Sequence, residues 1–290
     1  MIQLLCFGFG YSARALAERL LARDLLWQIR GTTSRPLQAP LNRFAENIAI
    51  CPLESLTAEQ IAAAEFLLLS IPPKGGQDPI LPLLDEVRRA GPVGWKWVGY
   101  LSATSVYGDH QGRIVTEETP CQPSSRRGQA RLDAERAWGD FFAPMEISLG
   151  IFRLAGIYGP GRSVLDSLRA GTARYIKDSD QVFNRIHVTD IAQALQHSMT
   201  QRPKGCHVYN LADDLPALPA DVLRFGCELL GYDMPEGISL AQAGEKTRSF
   251  YGESKRTAND KIKRALGLTL AYPDYRAGLT ALASQLTRSG

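Results

Sequence analysis

Gly8-Phe9-Gly10-Tyr11-Ser12-Ala13 lies directly between the apolar run Ile2–Phe7 and a segment in which Ala13, Leu16, Ala17, Leu20 and Leu21 recur at helical spacing. The run reads as a strand buried on both faces and the spacing as an amphipathic helix. A G-x-G-x-x-A sequence at a strand-to-helix turn has a chemical logic. Gly8 permits the tight turn, Gly10 lets backbone approach a pyrophosphate, and Ala13 keeps helix and strand close. The helix N-terminus then offers unpaired N–H groups and partial positive charge to the anion.

Outward from this loop, apolar segments alternate with helical patterns. Strands are expected at Leu26–Thr32, Asn47–Cys51, Glu65–Ile71, Trp97–Ser102 and Ile147–Leu154. Such alternation implies right-handed crossovers and an α/β fold, a Rossmann-type doubly wound parallel sheet. The second half is less regular, with loop-rich stretches at Gly156–Arg162 and Lys177–Arg185 and several turn residues after Leu215. The expected organisation is a dinucleotide-binding core over 1–155, completed by about 183–210. A smaller C-terminal α/β substrate lobe is expected from 156–182 and 211–290.

Composition narrows the function classes. The 290 residues are 44% apolar and 22% charged, with a net charge of +3. That is ordinary globular composition, too mildly basic to imply a nucleic-acid partner. Cys6, Cys51, Cys121, Cys206 and Cys227 are odd in number, scattered and never paired as CxxC, so neither a disulfide framework nor a metal site is expected. The N-terminus lacks a basic leader region and no run of eighteen apolar residues occurs, so the reading is a cytoplasmic protein without a membrane span. The expected partner is a small-molecule substrate, and the chain is read as a monomer or homodimer.

The end of the second strand bears on the cofactor. A site for NAD places Asp or Glu there, on the ribose 2′-hydroxyl. Here Arg30-Gly31-Thr32-Thr33-Ser34-Arg35 carries no acid. Hydroxyls of Thr33 and Ser34 with the Arg35 guanidinium suit a 2′-phosphate, which points to NADP, with NAD as the alternative. Ser70, Ile71 and Pro72, ending the fourth strand, are assigned to the wall beside the cofactor.

Further along, Leu101-Ser102-Ala103-Thr104-Ser105-Val106-Tyr107-Gly108-Asp109, Thr116-Glu117-Glu118-Thr119-Pro120, Arg153-Leu154-Ala155-Gly156-Ile157-Tyr158-Gly159-Pro160-Gly161, Ile186-His187-Val188-Thr189-Asp190-Ile191-Ala192 and Leu266-Gly267 follow in order. With the glycine loop, this series resembles the extended short-chain dehydrogenase/reductases, the NAD(P)-dependent epimerases and dehydratases. The resemblance implies a Ser or Thr four residues before the tyrosine of VYG, and a Tyr-x-x-x-Lys pair on a helix. By register those positions hold Ala103, Arg127 and Arg131. A guanidinium stays protonated, so Arg127 does not exchange a proton as a phenol does, although it stabilises an anion.

Arg127, Arg131 and Glu135 fall on one helical face, where an exposed Arg131–Glu135 ion pair is the plain structural expectation. Facing the cofactor cleft instead, the arginines would attract an anionic substrate or a cofactor phosphate. Ser102, Thr104 and Tyr158 are the other pocket candidates. Tyr107 and His187 read as core residues, Asp190 as a helix N-cap, and Trp95 and Trp97 as core. The basic segment Ser254–Lys261 reads as a charged helix surface or an anion-binding edge. Two functions remain open: an atypical oxidoreductase or epimerase acting on a small metabolite, anionic where the arginines face it, and a non-catalytic NADP(H)-binding sensor or scaffold.

Overall fold

The computed structural model describes residues 2–34, 46–74, 76–177 and 179–288. Seven strands form one sheet: β1 (Ile2–Phe7), β2 (Trp27–Thr32), β3 (Ile48–Cys51), β4 (Phe66–Leu69), β5 (Trp97–Ala103), β6 (Ser148–Leu154) and β7 (Gly205–Leu211). Their spatial order is 3-2-1-4-5-6-7 and every neighbouring pair is parallel. The order reverses between β1 and β4, and open α/β sheets bind ligands outside the carboxyl ends of the strands at such a switch.

Alternation along β1 divides the core. Leu4 and Cys6 join the apolar layer beneath Tyr11–Leu21 (α1), whereas Leu5 and Phe7 join the opposite layer with Leu84, Trp138 and Ile151. Ile191 and Leu195 on Val188–Gln201 belong to the α1 layer. Both faces are covered, which is why the strands read as continuous apolar runs. The segments read as loops around 156–162 and 177–185 contain more order than their sequence suggests. Gly156–Tyr158 pairs in parallel with Arg185–His187, in strands too short for a pattern to reveal. A separate apolar cluster joins Tyr158, Leu165, Val222, Tyr275 and Leu279.

A buried polar network fixes the carboxyl ends of β5, β6 and β7. Glu135, on the helix Arg126–Phe142 (α2), accepts Nε and Nη2 of Arg153 at 3.1 and 2.7 Å on Oε2, and Ser102 Oγ on Oε1. Arg153 Nη1 donates to the Tyr107 hydroxyl at 2.9 Å, which donates to Asn210 Oδ1 at 2.7 Å. Asn210 Nδ2 continues to the Ala258 carbonyl at 3.1 Å, and its backbone N–H donates to Glu117 at 2.8 Å. Glu135 and Arg153 side chains are 4% and 7% exposed. The expected exposed pair of Arg131 with Glu135 is therefore corrected. Glu135 points inward to Arg153, because a buried guanidinium needs a carboxylate more than a solvated one does.

Asp190 also departs from expectation. His187 occupies the N-cap, its Nδ1 accepting from Thr189 N–H, while Asp190 is buried and accepts from the backbone N–H groups of Ala271 and Tyr272 at 2.6 and 3.1 Å. Burial lifts its carboxyl to about 6. Asp213 is lifted further, to about 7, by burial, with Leu215 N–H and Arg185 pulling the other way; its Oδ2 has no partner among the described residues. Trp95, Trp97 and Tyr107 are core residues, as expected.

Two outcomes follow. Glu135→Gln leaves Arg153 buried without its countercharge and lowers stability by about 3–5 kcal/mol in urea titration, whereas Glu135→Leu with Arg153→Met restores most of it. The folded state holds the Asp213 proton well above the carboxyl's unfolded pKa, so its ionisation withdraws stability as pH rises from about 4 to 7. Asp213→Asn then raises the melting temperature at pH 8 and leaves it unchanged near pH 4; equal effects at both pH values would contradict this.

Candidate functional site

A cleft of about 710 Å³ opens at the carboxyl ends of β1, β4, β5 and β6. Its core-side wall is Gly10, Tyr11, Ser12, Ala13 and Ser70, and its floor includes Leu101, Ser102, Ala103 and Thr104. Arg127 and Arg131 from α2, Tyr158 and Arg162, and the C-terminal residues Phe250, Glu253 and Lys255 complete it. Side chains distant in sequence meet here because parallel strands deliver all their carboxyl ends to one edge of the sheet.

The glycine loop is rigidly seated. Gly8 has φ +92°, and a Cβ built on it would lie 2.8 Å from Ser70 Oγ. Its N–H donates to Thr32 Oγ1 at 2.9 Å, and Phe9 N–H donates to the Thr32 carbonyl at 2.6 Å. Ser70 Oγ donates in return to the Gly8 carbonyl. Gly10, at the start of α1, differs. Its φ of −91° suits any residue, yet a Cβ there would meet nothing within 4 Å. Space of this kind over a helix N-terminus fits the pyrophosphate of a dinucleotide.

Among the other residues assigned to the cofactor, Gly8, Phe9, Ile71 and Pro72 support the loop or its surroundings without lining the cleft. Phe9 is buried against Gly31, and the Ile71 side chain packs against Gly8. Thr33 and Ser34 follow β2 and stand outside the cleft wall, while Arg35 lies outside the described residues.

The pocket candidates meet but differ in availability. Ser102 is committed to Glu135. Tyr158 donates its hydroxyl to the Asp274 carbonyl at 3.3 Å, and burial drives its pKa far above the ordinary phenol value, with Asp213, Asp190 and Asp274 adding to the shift. Arg131 donates to the Leu101 carbonyl at 2.6 Å and lies over the Tyr100 ring. Arg127 is exposed and has no hydrogen-bond or ion-pair partner among the described residues, and Thr104 is half-buried at the floor. Tyr11 donates to the Pro160 carbonyl at 3.0 Å, with Arg162 over its ring.

Glu253, paired with Lys255 at 2.7 Å, was not marked by the sequence. A lone Glu beside a basic stretch carries no motif; only the chain's return to α2 gives it a place. No group of three or more metal-ligating side chains occurs among the described residues, and none of their helices is long and apolar enough to cross a membrane.

Comparison with known proteins agrees with this architecture. The model of the NAD dependent epimerase/dehydratase family matches residues 80–212. The chain is 41% identical to a conserved protein of unknown function from Silicibacter pomeroyi DSS, whose structure superposes with a TM-score of 0.87 over 98% of this chain and 99% of that one. It is 29% identical over 284 residues to Protein YeeZ of Escherichia coli K12, covering 92% of this chain and 95% of that protein. The structure of MoeE5 in complex with UDP-glucuronic acid and NAD shares the fold, with 22% identity and a TM-score of 0.79 over 99% and 100% of the two chains. The sheet order and the glycine loop are those of a Rossmann-type fold, and over residues 80–212 the chain is similar to the NAD dependent epimerase/dehydratase family.

Proposed function

We propose that the cleft binds a nicotinamide dinucleotide, NADP in preference to NAD, along Gly8–Ala13, and a small anionic metabolite against Arg127. The chain then acts as an oxidoreductase or epimerase that dispenses with the Tyr–Lys pair. The observation carrying this reading is the unfilled space over Gly10 in a wall where Gly8 is locked by its neighbours. The dinucleotide, when bound, supplies the hydride chemistry. MoeE5 holds NAD together with a nucleotide sugar on the same fold, which supports a cofactor and a small molecule sharing the cleft.

The chain's own residues define the remaining roles. Backbone N–H groups at the start of α1 orient the pyrophosphate, and Thr33, Ser34 and Arg35 meet the 2′-phosphate. Arg127 holds negative charge on the substrate; it does not relay protons. Arg131 leans on the Leu101 carbonyl and steadies the floor at the position where the family resemblance expects an ammonium. That commitment, with Ala103 where a hydroxyl is expected, favours the second reading, a non-catalytic sensor or scaffold that binds NADP(H) without turning it over.

Two measurements test the binding claim. Gly10→Ala keeps the melting temperature close to wild type and weakens NADPH, followed by nicotinamide fluorescence, by at least about tenfold. Gly8→Ala, forced to φ +92° against Ser70, instead costs about 1–3 kcal/mol of stability. Equal loss of binding and stability in both variants would contradict the assignment. NADPH binds about tenfold or more tightly than NADH, and Arg35→Ala removes the difference, since a guanidinium–phosphate contact is worth a factor of that order; equal affinities in the wild type would sink the NADP preference.

A further inference from the structure

Among the described residues the cleft is lined by five cationic side chains and one carboxylate. Four of the cations are arginines. The fifth, Lys255, comes from the C-terminal segment, and its side chain is only 8% exposed. Its Nζ donates to the Gly108 carbonyl and to Glu253 Oε2, both at 2.7 Å. An ammonium has three N–H donors. The third has no acceptor among the described residues, on a side chain that lines the cleft.

The surroundings hold this head group still. Gly108 closes the turn that follows β5, so one contact ties Lys255 to the floor of the cleft. Glu253 Oε1 accepts from Ser124 Oγ, beside the Ser125 N-cap of α2, which ties the pair to the helix bearing Arg127. Gln181 donates to the Glu253 carbonyl, and Asn184 donates to the Lys255 carbonyl at 2.8 Å. Glu253 therefore spends both carboxylate oxygens on fixed partners and cancels the ammonium charge. Asp109 also interacts electrostatically with Lys255, and Arg127, whose guanidinium has no partner among the described residues, lines the same cleft. A buried donor that is immobilised, charge-compensated and still one bond short is organised to receive an oxygen atom.

We propose that Lys255 is an oxyanion-binding residue of this cleft. Its third N–H takes a phosphate or carboxylate oxygen of the substrate, with Arg127 as the second cation. The proposal rests on the reading that the cleft is the substrate site; it does not require the dinucleotide to be NADP. Glu253 and Ser124 act as positioning residues, because they reach the substrate only through Lys255.

The test is calorimetric titration of the full-length protein with inorganic phosphate and, separately, with malonate. The tighter of the two identifies the anion class. Lys255→Met weakens that anion by at least about tenfold, the factor expected for one charge-assisted contact. Arg127→Ala, at an exposed position, weakens it several-fold, and Gly10→Ala leaves it unchanged. If Lys255→Met fails to fold with Glu253 left unpaired, Lys255→Met combined with Glu253→Gln removes both charges and gives the same readout. Unchanged affinity in the lysine variants, loss of the anion in Gly10→Ala (which assigns it to the glycine loop), or no binding of either anion to the wild type overturns the proposal. NADPH binding to the same wild-type protein reports separately on the dinucleotide reading, which fails without affecting this outcome.

Discussion

The ion pair between Glu135 and Arg153 is the constraint on which the floor of the cleft depends. It joins α2 to β6, and through Ser102, Tyr107 and Asn210 it reaches β5, the turn after it and β7. Two ions taken out of water repay their desolvation only if every lone pair and donor is matched. Here the matching requires five chain segments in register at once. Burial pushes the Tyr107 phenol up to about 12, with Arg153 pulling the other way, so the hydroxyl stays neutral and serves both as acceptor and as donor. One consequence is chemical. Ser102, one of the two hydroxyls flanking Ala103, is drawn into the network and away from the cleft's chemistry.

The same logic separates the two arginines of α2. They stand four residues apart on one helical face and both line the cleft, yet their surroundings assign them different work. Arg131 meets a carbonyl and an aromatic face, contacts that satisfy a guanidinium without any ligand. Arg127 meets solvent and open cleft. Arg131 is thus a strut of the floor, and Arg127 is a cation without a partner among the described residues. The one lysine among the described residues lining the cleft, the buried Lys255, comes from the C-terminal segment.

Legibility in the sequence follows the range of the interactions. The first six strands of the sheet were readable to within a residue or two, because burial on both faces leaves uninterrupted aliphatic runs such as Phe66–Leu69. The glycine loop was readable because strand, turn and helix are contiguous. Glu135 was misread for the opposite reason. Its helical spacing from Arg131 is a local fact, while its partner Arg153 lies on a strand eighteen residues away. Asp190 misled in the same way: an acid near a helix start suggests a cap, but the backbone of Ala271 and Tyr272 claims it from eighty residues away.

Glu253 and Lys255 extend that contrast to the site itself. The core wall of the cleft is written in one hexapeptide, whose glycines mean the same thing in any chain that places them between a strand and a helix. The opposite wall is assembled from Gly108, Ser124, Gln181 and Asn184, each contributing one polar atom to a segment with no motif. A wall built that way is free to change its ligand while the glycine loop keeps its own, since moving one lysine disturbs no strand of the sheet. A fold that hosts many functions leaves identity at the metabolite end to such tertiary assemblies, and on the proposal above the buried Lys255–Glu253 pair is where this chain would write that choice.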